Sequence, residues 1–589
     1  MSRGLKIFLV FLGGLLLVLL ILAVAGILFF SLYDRPSVSS NSVLVINLSG
    51  QLPDYVPEDP IAEAFEIEQG KSFISLITQL RKAKTDSKIA AVLVNIDFPA
   101  IGWAKAEELR RALLDVRETG KPVYAYMEVG TIKEYYIATA ADKIFLPPSG
   151  DLYITGLMAE VMFFRGALDK LGIEPQVIQI GKYKNAPDQY TRKQMSPEHR
   201  EVINAVLDDY FNRLITAIAE ARKKTPDEVR TLIDEAPYSA KKANELGLID
   251  GALYKEEVYD ELKNRLGYKE DEKLRLVTAE SYRKVSADSL GLNTGEKVAV
   301  IFAAGPINSG ESEFFYSQTI GSNTMVKAIS DAASDDSIKA IVIRVDSPGG
   351  SALASDLIWH AIEKAKAKKP VVVSMSDVAA SGGYYISCNA NKIVAENSTI
   401  TGSIGVFLGK PVLKGFYDWL GLNNEYVIRG KNAGLFRETE RWTPEEEAKM
   451  KEMANRIYYD EFLPKVAQGR GRSIEEIDSI GQGRVWTGAQ AKDRGLVDEI
   501  GGLEKAIEIA KQLAGLPADK DVQRVTFPKP KPFFERLLGR KEDETFAATR
   551  ELLETMPENI QKAVKYALIF ERAGRGDAMM LMPFELTLK

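Results

Sequence analysis

The sequence predicts an α/β protein in which one parallel-sheet unit occurs twice, behind an apolar N-terminal helix. Three observations carry that expectation. First, Ala141-Asp142-Lys143-Ile144 is matched by Ala390-Asn391-Lys392-Ile393, and Ile132-Lys133-Glu134-Tyr135-Tyr136-Ile137 by Ser381-Gly382-Gly383-Tyr384-Tyr385-Ile386, both at an offset of 249 residues. Second, continuous apolar runs of strand length alternate with helical patterns, the signature of parallel strands buried on both faces. Third, residues 7–32 carry no charge and are mostly apolar.

The elements follow in chain order. A run of that length can cross a hydrocarbon core of about 30 Å. Arg3 and Lys6 precede it, which places the N-terminus in the cytoplasm and the bulk of the chain outside. Ala23-Val24-Ala25 looks like a signal-peptidase site, but Ile27-Leu28-Phe29-Phe30 continues the apolar run beyond it. An uncleaved, single-pass anchor within residues 1–35 is therefore expected. After a Pro/Ser linker, Val43-Leu44-Val45-Ile46 reads as a strand, with Val298-Ala299-Val300-Ile301 as its counterpart. A helix ending near Lys84 leads to the strand at residues 91–97, matched at 340–346. Another helix leads to residues 122–125, matched at 370–374. Ser196-Pro197-Glu198 and Thr443-Pro444-Glu445-Glu446 are helix starts, with a hydroxyl N-cap, proline at N1 and early carboxylates. Gly247 and Gly495, at equivalent points of the segments 243–250 and 491–498, should end helices in the left-handed conformation. The repeats are thus expected at residues 42–275 and 296–514. Pro528, Pro530 and Pro532 open a tail at 528–589, with a helical pattern over 551–569 and an apolar end at Met579-Met580-Leu581-Met582.

Composition narrows the functional classes. Of the 589 residues, 46% are hydrophobic and 27% charged, which is ample for globular cores. A net charge of −6 gives no basic face for nucleic acid. Cys388 is the only cysteine and there are two histidines, His199 and His360. An internal disulfide is excluded, and a Cys/His zinc site has no ligand set. No metal or cofactor is expected. Cys388 reads as a small core residue.

The difference between the copies points to chemistry. Ser381-Gly382-Gly383 follows a buried strand and opens a helix, while the first copy has Ile132-Lys133-Glu134 there. Such a serine can be a simple N-cap or a nucleophile whose neighbouring N–H, on Gly382, helps hold an oxyanion. Upstream, Asp346-Ser347-Pro348-Gly349-Gly350-Ser351 lets backbone N–H groups face a ligand. Its counterpart, Asp97-Phe98-Pro99-Ala100-Ile101-Gly102, lacks the glycine pair. Both motifs stand in the same copy and both are lost from the other. A serine hydroxyl needs a base, and neither histidine lies in a motif. A lysine serves if burial lowers its pKa. Lys184 and Lys431 follow apolar runs at equivalent positions, and both precede Asn-Ala. Spacing alone does not choose between them.

Ser347-Pro348-Gly349-Gly350, Ala380-Ser381-Gly382-Gly383-Tyr384-Tyr385 and Thr401-Gly402-Ser403-Ile404-Gly405, in that order, resemble the signal peptide peptidase A (protease IV) family, S49, on the Clp/crotonase fold. The anchor and tandem repeat suit its long bacterial form, and the likeness spans residues 42–582. The resemblance implies a serine endopeptidase with Ser381 as nucleophile, Lys184 as base, Ser403 orienting the lysine, and Gly350 and Gly382 as oxyanion donors. It further implies a homotetramer on the periplasmic face of the bacterial inner membrane, acting on released signal peptides. Two other classes compete. A crotonase-like acyl-CoA enzyme would use similar paired glycines, but CoA is cytoplasmic. A non-catalytic membrane scaffold would not need Ser381 and its glycines, all of which are present.

Overall fold

The computed structural model describes residues 11–15, 18, 38–56, 71–313, 318–529, 578–582 and 587–588. The expected anchor lies outside the described residues apart from 11–15 and 18, which are helical and exposed. Among the described residues no helix is long and apolar enough to cross a membrane. The helical pattern expected over 551–569 also lies outside them.

Each copy is built on a parallel sheet. In the first, Ser42–Gln51 pairs with Ile89–Ala100, and Val123–Tyr126, Lys143–Leu146 and Gly251–Ala252 follow outward. Leu276–Thr278 closes the other edge. In the second, Lys297–Ala304 pairs with Ile338–Ser347, then come Val371–Ala380, Lys392–Ala395 and Glu499–Ile500, with Gln523–Phe527 on the far edge. The strand order is the same in both.

Alternation along these strands sends side chains into two cores. Leu44, Ile46, Val92 and Val94 face one side with Leu109 and Leu113 of the helix Trp103–Arg117. Val43, Ala91 and Leu93 face the other with Val258 and Leu262 of the helix Lys255–Arg265. The second copy repeats the division, with Ile341, Ile343, Val371 and Val373 on one face and Ala340, Val342 and Val372 against Leu503 and Ile507 on the other. Cys388 is buried in the first of these cores. Gly247 and Gly495 both have φ of +70°, the helix-ending conformation expected of them.

Two features lock the copies together. The strand Glu174–Ile180 leaves the first copy and runs antiparallel along Val406–Val412 of the second, from Ile180 opposite Val406 to Glu174 opposite Val412. In addition, charged groups meet across the junction. Gly102 and Lys105 donate their backbone N–H groups to the Asp377 carboxylate, both at 2.9 Å. Arg344, fully buried in its strand, pairs with Asp54 at 3.3 Å and Glu108 at 2.7 Å, both from the first copy.

One expectation needs correction. The apolar runs that precede Lys184 and Lys431 at equivalent positions differ in structure: Val177-Ile178 lies in a strand, whereas Val427-Ile428 forms none and Val427 is exposed. A strand needs partners for its backbone groups. Glu174–Ile180 finds them on Val406–Val412, whereas residues 424–430 pair with no strand among the described residues.

Candidate active site

Ser381 sits at the turn between the strand Val371–Ala380 and the helix Gly382–Ser387, with φ +56° and ψ −112°. That region is costly for a residue with a Cβ and is kept only where the surroundings fix it. Here the Ser381 N–H donates to Gly402 O and its carbonyl accepts from the Tyr385 N–H, both at 2.8 Å. The neighbouring strand Ile400–Gly402 thus pins the turn from one side and the helix from the other.

Lys184 arrives from the first copy. After Ile180 the chain turns at Gly181 and is seated on the second copy, where the Tyr183 N–H donates to Gln482 O at 2.7 Å. Gly483 permits the approach, since a Cβ there would lie 2.5 Å from the Lys184 backbone nitrogen. Lys184 Nζ then reaches Ser381 Oγ at 2.7 Å, Ser403 Oγ at 2.9 Å and Ser403 O at 3.1 Å. The lysine, Ser381 and Ser403 are all fully buried. Burial pushes the Lys184 amine well below its usual range, and no carboxylate acts in the opposite direction. An amine held neutral beside a serine hydroxyl can accept its proton. Ser403 is itself fixed in an uncommon conformation, φ +53°, with its N–H on Arg484 O at 2.7 Å.

The glycines stand beside this pair. Gly349 has φ +104°, and a Cβ on it would come within 2.8 Å of the Gly382 nitrogen. A Cβ on Gly382 would lie 3.1 Å from the Gly350 nitrogen. The amides of Gly350 and Gly382 are therefore neighbours at the base of the serine turn. Ser347 Oγ accepts from the Gly349 N–H at 3.2 Å and so holds the glycine strand in place.

Two stretches of the chain, 115–269 and 363–517, match the family model described as Peptidase family S49. The chain belongs to peptidase family S49. It is 37% identical over 550 residues to "Serine protease SPPA, chloroplastic" of Arabidopsis thaliana, covering 92% of this chain and 80% of that one. It is 31% identical over 546 residues to "Protease 4" of Haemophilus influenzae, covering 88% and 86%. A solved ClpP1 from Listeria monocytogenes aligns at a TM-score of 0.23 and 18% identity over 35% of this chain and 94% of that one, a likeness too slight to argue from. This S49 member is a serine peptidase.

All five residues singled out in the sequence, Ser381, Lys184, Ser403, Gly350 and Gly382, come together at one place. Lys431 does not join them and is exposed in a turn. His199 is buried in the first copy with Nδ1 3.8 Å from Asp188, and His360 is exposed on the helix Ala352–Lys366. Among the described residues no His/Cys/Asp/Glu group is arranged to hold a metal ion. Asp346, which opens the glycine motif, is bonded to Lys105 Nζ at 2.8 Å and the Val378 N–H at 3.1 Å, so it ties the copies together. Sequence reasoning missed the Gln482-Gly483 seat. The signal was available: Gly481-Gln482-Gly483 in the second copy stands where the first has Ile233-Asp234-Glu235, the same loss of glycines that marked the serine.

Proposed function

We propose that this S49 serine peptidase works through a Ser381/Lys184 dyad assembled from its two copies. The observation that carries the reading is the buried, carboxylate-free contact of Lys184 Nζ with Ser381 Oγ at 2.7 Å. Neutral Lys184 takes the hydroxyl proton as Ser381 Oγ bonds to the peptide carbonyl carbon. The Gly350 and Gly382 N–H groups hold the resulting oxyanion. The tetrahedral species collapses, the C–N bond breaks, and the proton on Lys184 passes to the leaving amine. Water then attacks the Ser381 ester, giving its proton to Lys184; the bond from the acyl carbon to Ser381 Oγ breaks, Lys184 returns the proton to that oxygen, and the acid product leaves. Ser403 positions the amine through the bond at 2.9 Å.

The same reading has the chain as a single-pass protein, anchored by residues 1–35 in the bacterial inner membrane with its catalytic part periplasmic. Repeats at 42–275 and 296–514 and a tail at 528–589 complete it. The uncharged run 7–32 supports the anchor, and signal peptides released in that membrane are the proposed substrates. A homotetramer is supported by the segment 424–430, which joins no strand and exposes Val427, and by its exposed neighbours Trp419 and Leu422. By the repeat logic, that segment would pair with the first copy of another chain as Glu174–Ile180 pairs within this one. A head-to-tail contact of this kind gives a ring where its rotation closes.

The test is covalent labelling with a fluorophosphonate probe followed by peptide mapping. Labelling at Ser381 in the wild type, with none in Ser381→Ala or Lys184→Ala, is the expected outcome. A label on another serine, or hydrolysis retained in Ser381→Ala, removes the dyad.

A further inference from the structure

The cleft beside Ser381 already contains a peptide strand, and it belongs to this chain. Met579–Leu581 runs antiparallel to Gly349–Ser351, with Leu581 opposite Gly349, Met580 opposite Gly350 and Met579 opposite Ser351. The pairing is extended at both ends, by the Ala352 N–H on Ala578 O at 3.0 Å and the Met582 N–H on Pro348 O at 2.7 Å. On its other side the segment pairs antiparallel with Val406–Val412, Met579 lying opposite Phe407. It is thus clamped between the glycine strand and the strand that carries Glu174–Ile180.

Its side chains are seated rather than loosely laid down. Met580 is 1% exposed and lies in the second copy's core. Met579 and Leu581 pack with Phe407, against Val177 and Ala186 from the lysine-bearing segment. The Met580 carbonyl is so close to Gly349 that a Cβ there would lie 1.8 Å from it, and the Gly382 nitrogen 2.8 Å from the same point. A carbonyl of the tail therefore lies against the amides assigned to the oxyanion.

We propose that the C-terminal segment 578–582 is a resident occupant of the peptide-binding groove, which substrates must displace. The inference rests on the dyad reading above for what the groove is used for. An extended peptide added between two strands takes its affinity from main-chain hydrogen bonds and its selectivity from alternate side-chain pockets. The tail meets both conditions, and its apolar Met-Met-Leu marks the groove as one for apolar peptides. Being tethered, it competes at an effective concentration on the order of millimolar. Weakly binding peptides are thereby excluded, while a long apolar peptide that makes more contacts can displace it.

The test uses the full chain. Met580→Asp puts a carboxylate into the apolar seat. Met582→Pro removes the N–H given to Pro348 O and leaves every buried side chain in place, which covers the case that the first variant misfolds. Fluorophosphonate labelling of Ser381 should speed up by about tenfold or more in each, given a tethered competitor of that strength. A synthetic peptide of residues 577–589 should slow it again. A second readout needs no chemistry. The same peptide, fluorescently labelled, should bind Ser381→Ala carrying Met582→Pro and not Ser381→Ala alone, measured by anisotropy. Peptide binding without any labelling in any variant would sink the dyad and leave the groove assignment standing. Unchanged labelling rates together with equal peptide binding in both backgrounds would overturn the proposal.

Discussion

Replacing Lys184 by methionine keeps the apolar stem and removes only the amine. If the amine is the base, hydrolysis falls by about 10²–10⁴-fold, the usual contribution of a positioned proton acceptor. The stability change has a distinctive pH signature. Methionine forfeits three hydrogen bonds to Ser381 and Ser403, worth about 1 kcal/mol each. Against that, wild type carries the burden of a buried amine whose folded pKa is lowered well below 10.5. Between the folded and unfolded pKa values the unfolded chain binds one more proton than the folded chain. Wild-type stability from this group therefore rises with pH across the window and is complete only above 10.5. Below the folded pKa both states are protonated and the buried charge is fully unfavourable. The methionine variant has no such dependence. Its stability relative to wild type should decline as pH rises through the window, by about 1.4 kcal/mol per unit. Urea melts of both proteins at pH 7, 8 and 9 measure this, and kcat/KM of the wild type should rise with pH through the folded pKa. Lys184→Arg is a harsher change, because arginine stays charged and no carboxylate is present to pair with it. It should be destabilised by about 3–5 kcal/mol, the cost of an unpaired buried charge. Parallel stability curves for wild type and Lys184→Met over pH 7–9, or appreciable hydrolysis in the methionine variant, would refute the assignment.

Ser403→Ala removes one acceptor from Nζ while leaving the backbone carbonyl bond at 3.1 Å, so kcat should drop about tenfold, the scale of one hydrogen bond. A displaced pH–kcat/KM profile would show that Ser403 acts on the lysine, and an unmoved profile with full kcat would remove its role. Arg344→Met leaves Asp54 and Glu108 buried without their cation, which should cost about 3–5 kcal/mol near pH 7. Protonation relieves the stranded carboxylates, so the loss measured in urea should shrink on moving to pH 5, and a loss that is the same at both pH values would argue against a charge effect.

The repeat, the parallel strands and the odd serine were legible because they depend on local pattern. Apolar strands at residues 43–46 and 298–301 announce themselves, and Ser381 stood out against Ile132 at the same offset. Which lysine meets Ser381 was not legible from spacing, since Lys184 and Lys431 occupy equivalent places. What separates them is non-local: Glu174–Ile180 finds a strand to pair with and residues 424–430 do not. The tail strand left still less trace. Three residues of strand pairing have no periodicity to detect, and Met579-Met580-Leu581 reads only as an apolar end.

The charges between the copies explain why a duplicated fold delivers one site rather than two. Arg344 stands where the first copy has Asn95, and Asp377 where it has Glu128. Arg344 pairs with Asp54 and Glu108, and Asp377 with the backbone at Gly102 and Lys105. Each contact runs from the second copy to the first, so exchanging the copies would strand buried charges on both sides. Breaking such contacts is costly, which fixes one mutual orientation. That orientation lays Glu174–Ile180 on Val406–Val412 and sets Lys184 against Gln482-Gly483. The Ser381 and Lys184 side chains meet across the two copies, and their 2.7 Å contact is a property of the junction. Loss of the buried ion pairs should therefore reach the dyad geometry before it reaches either sheet.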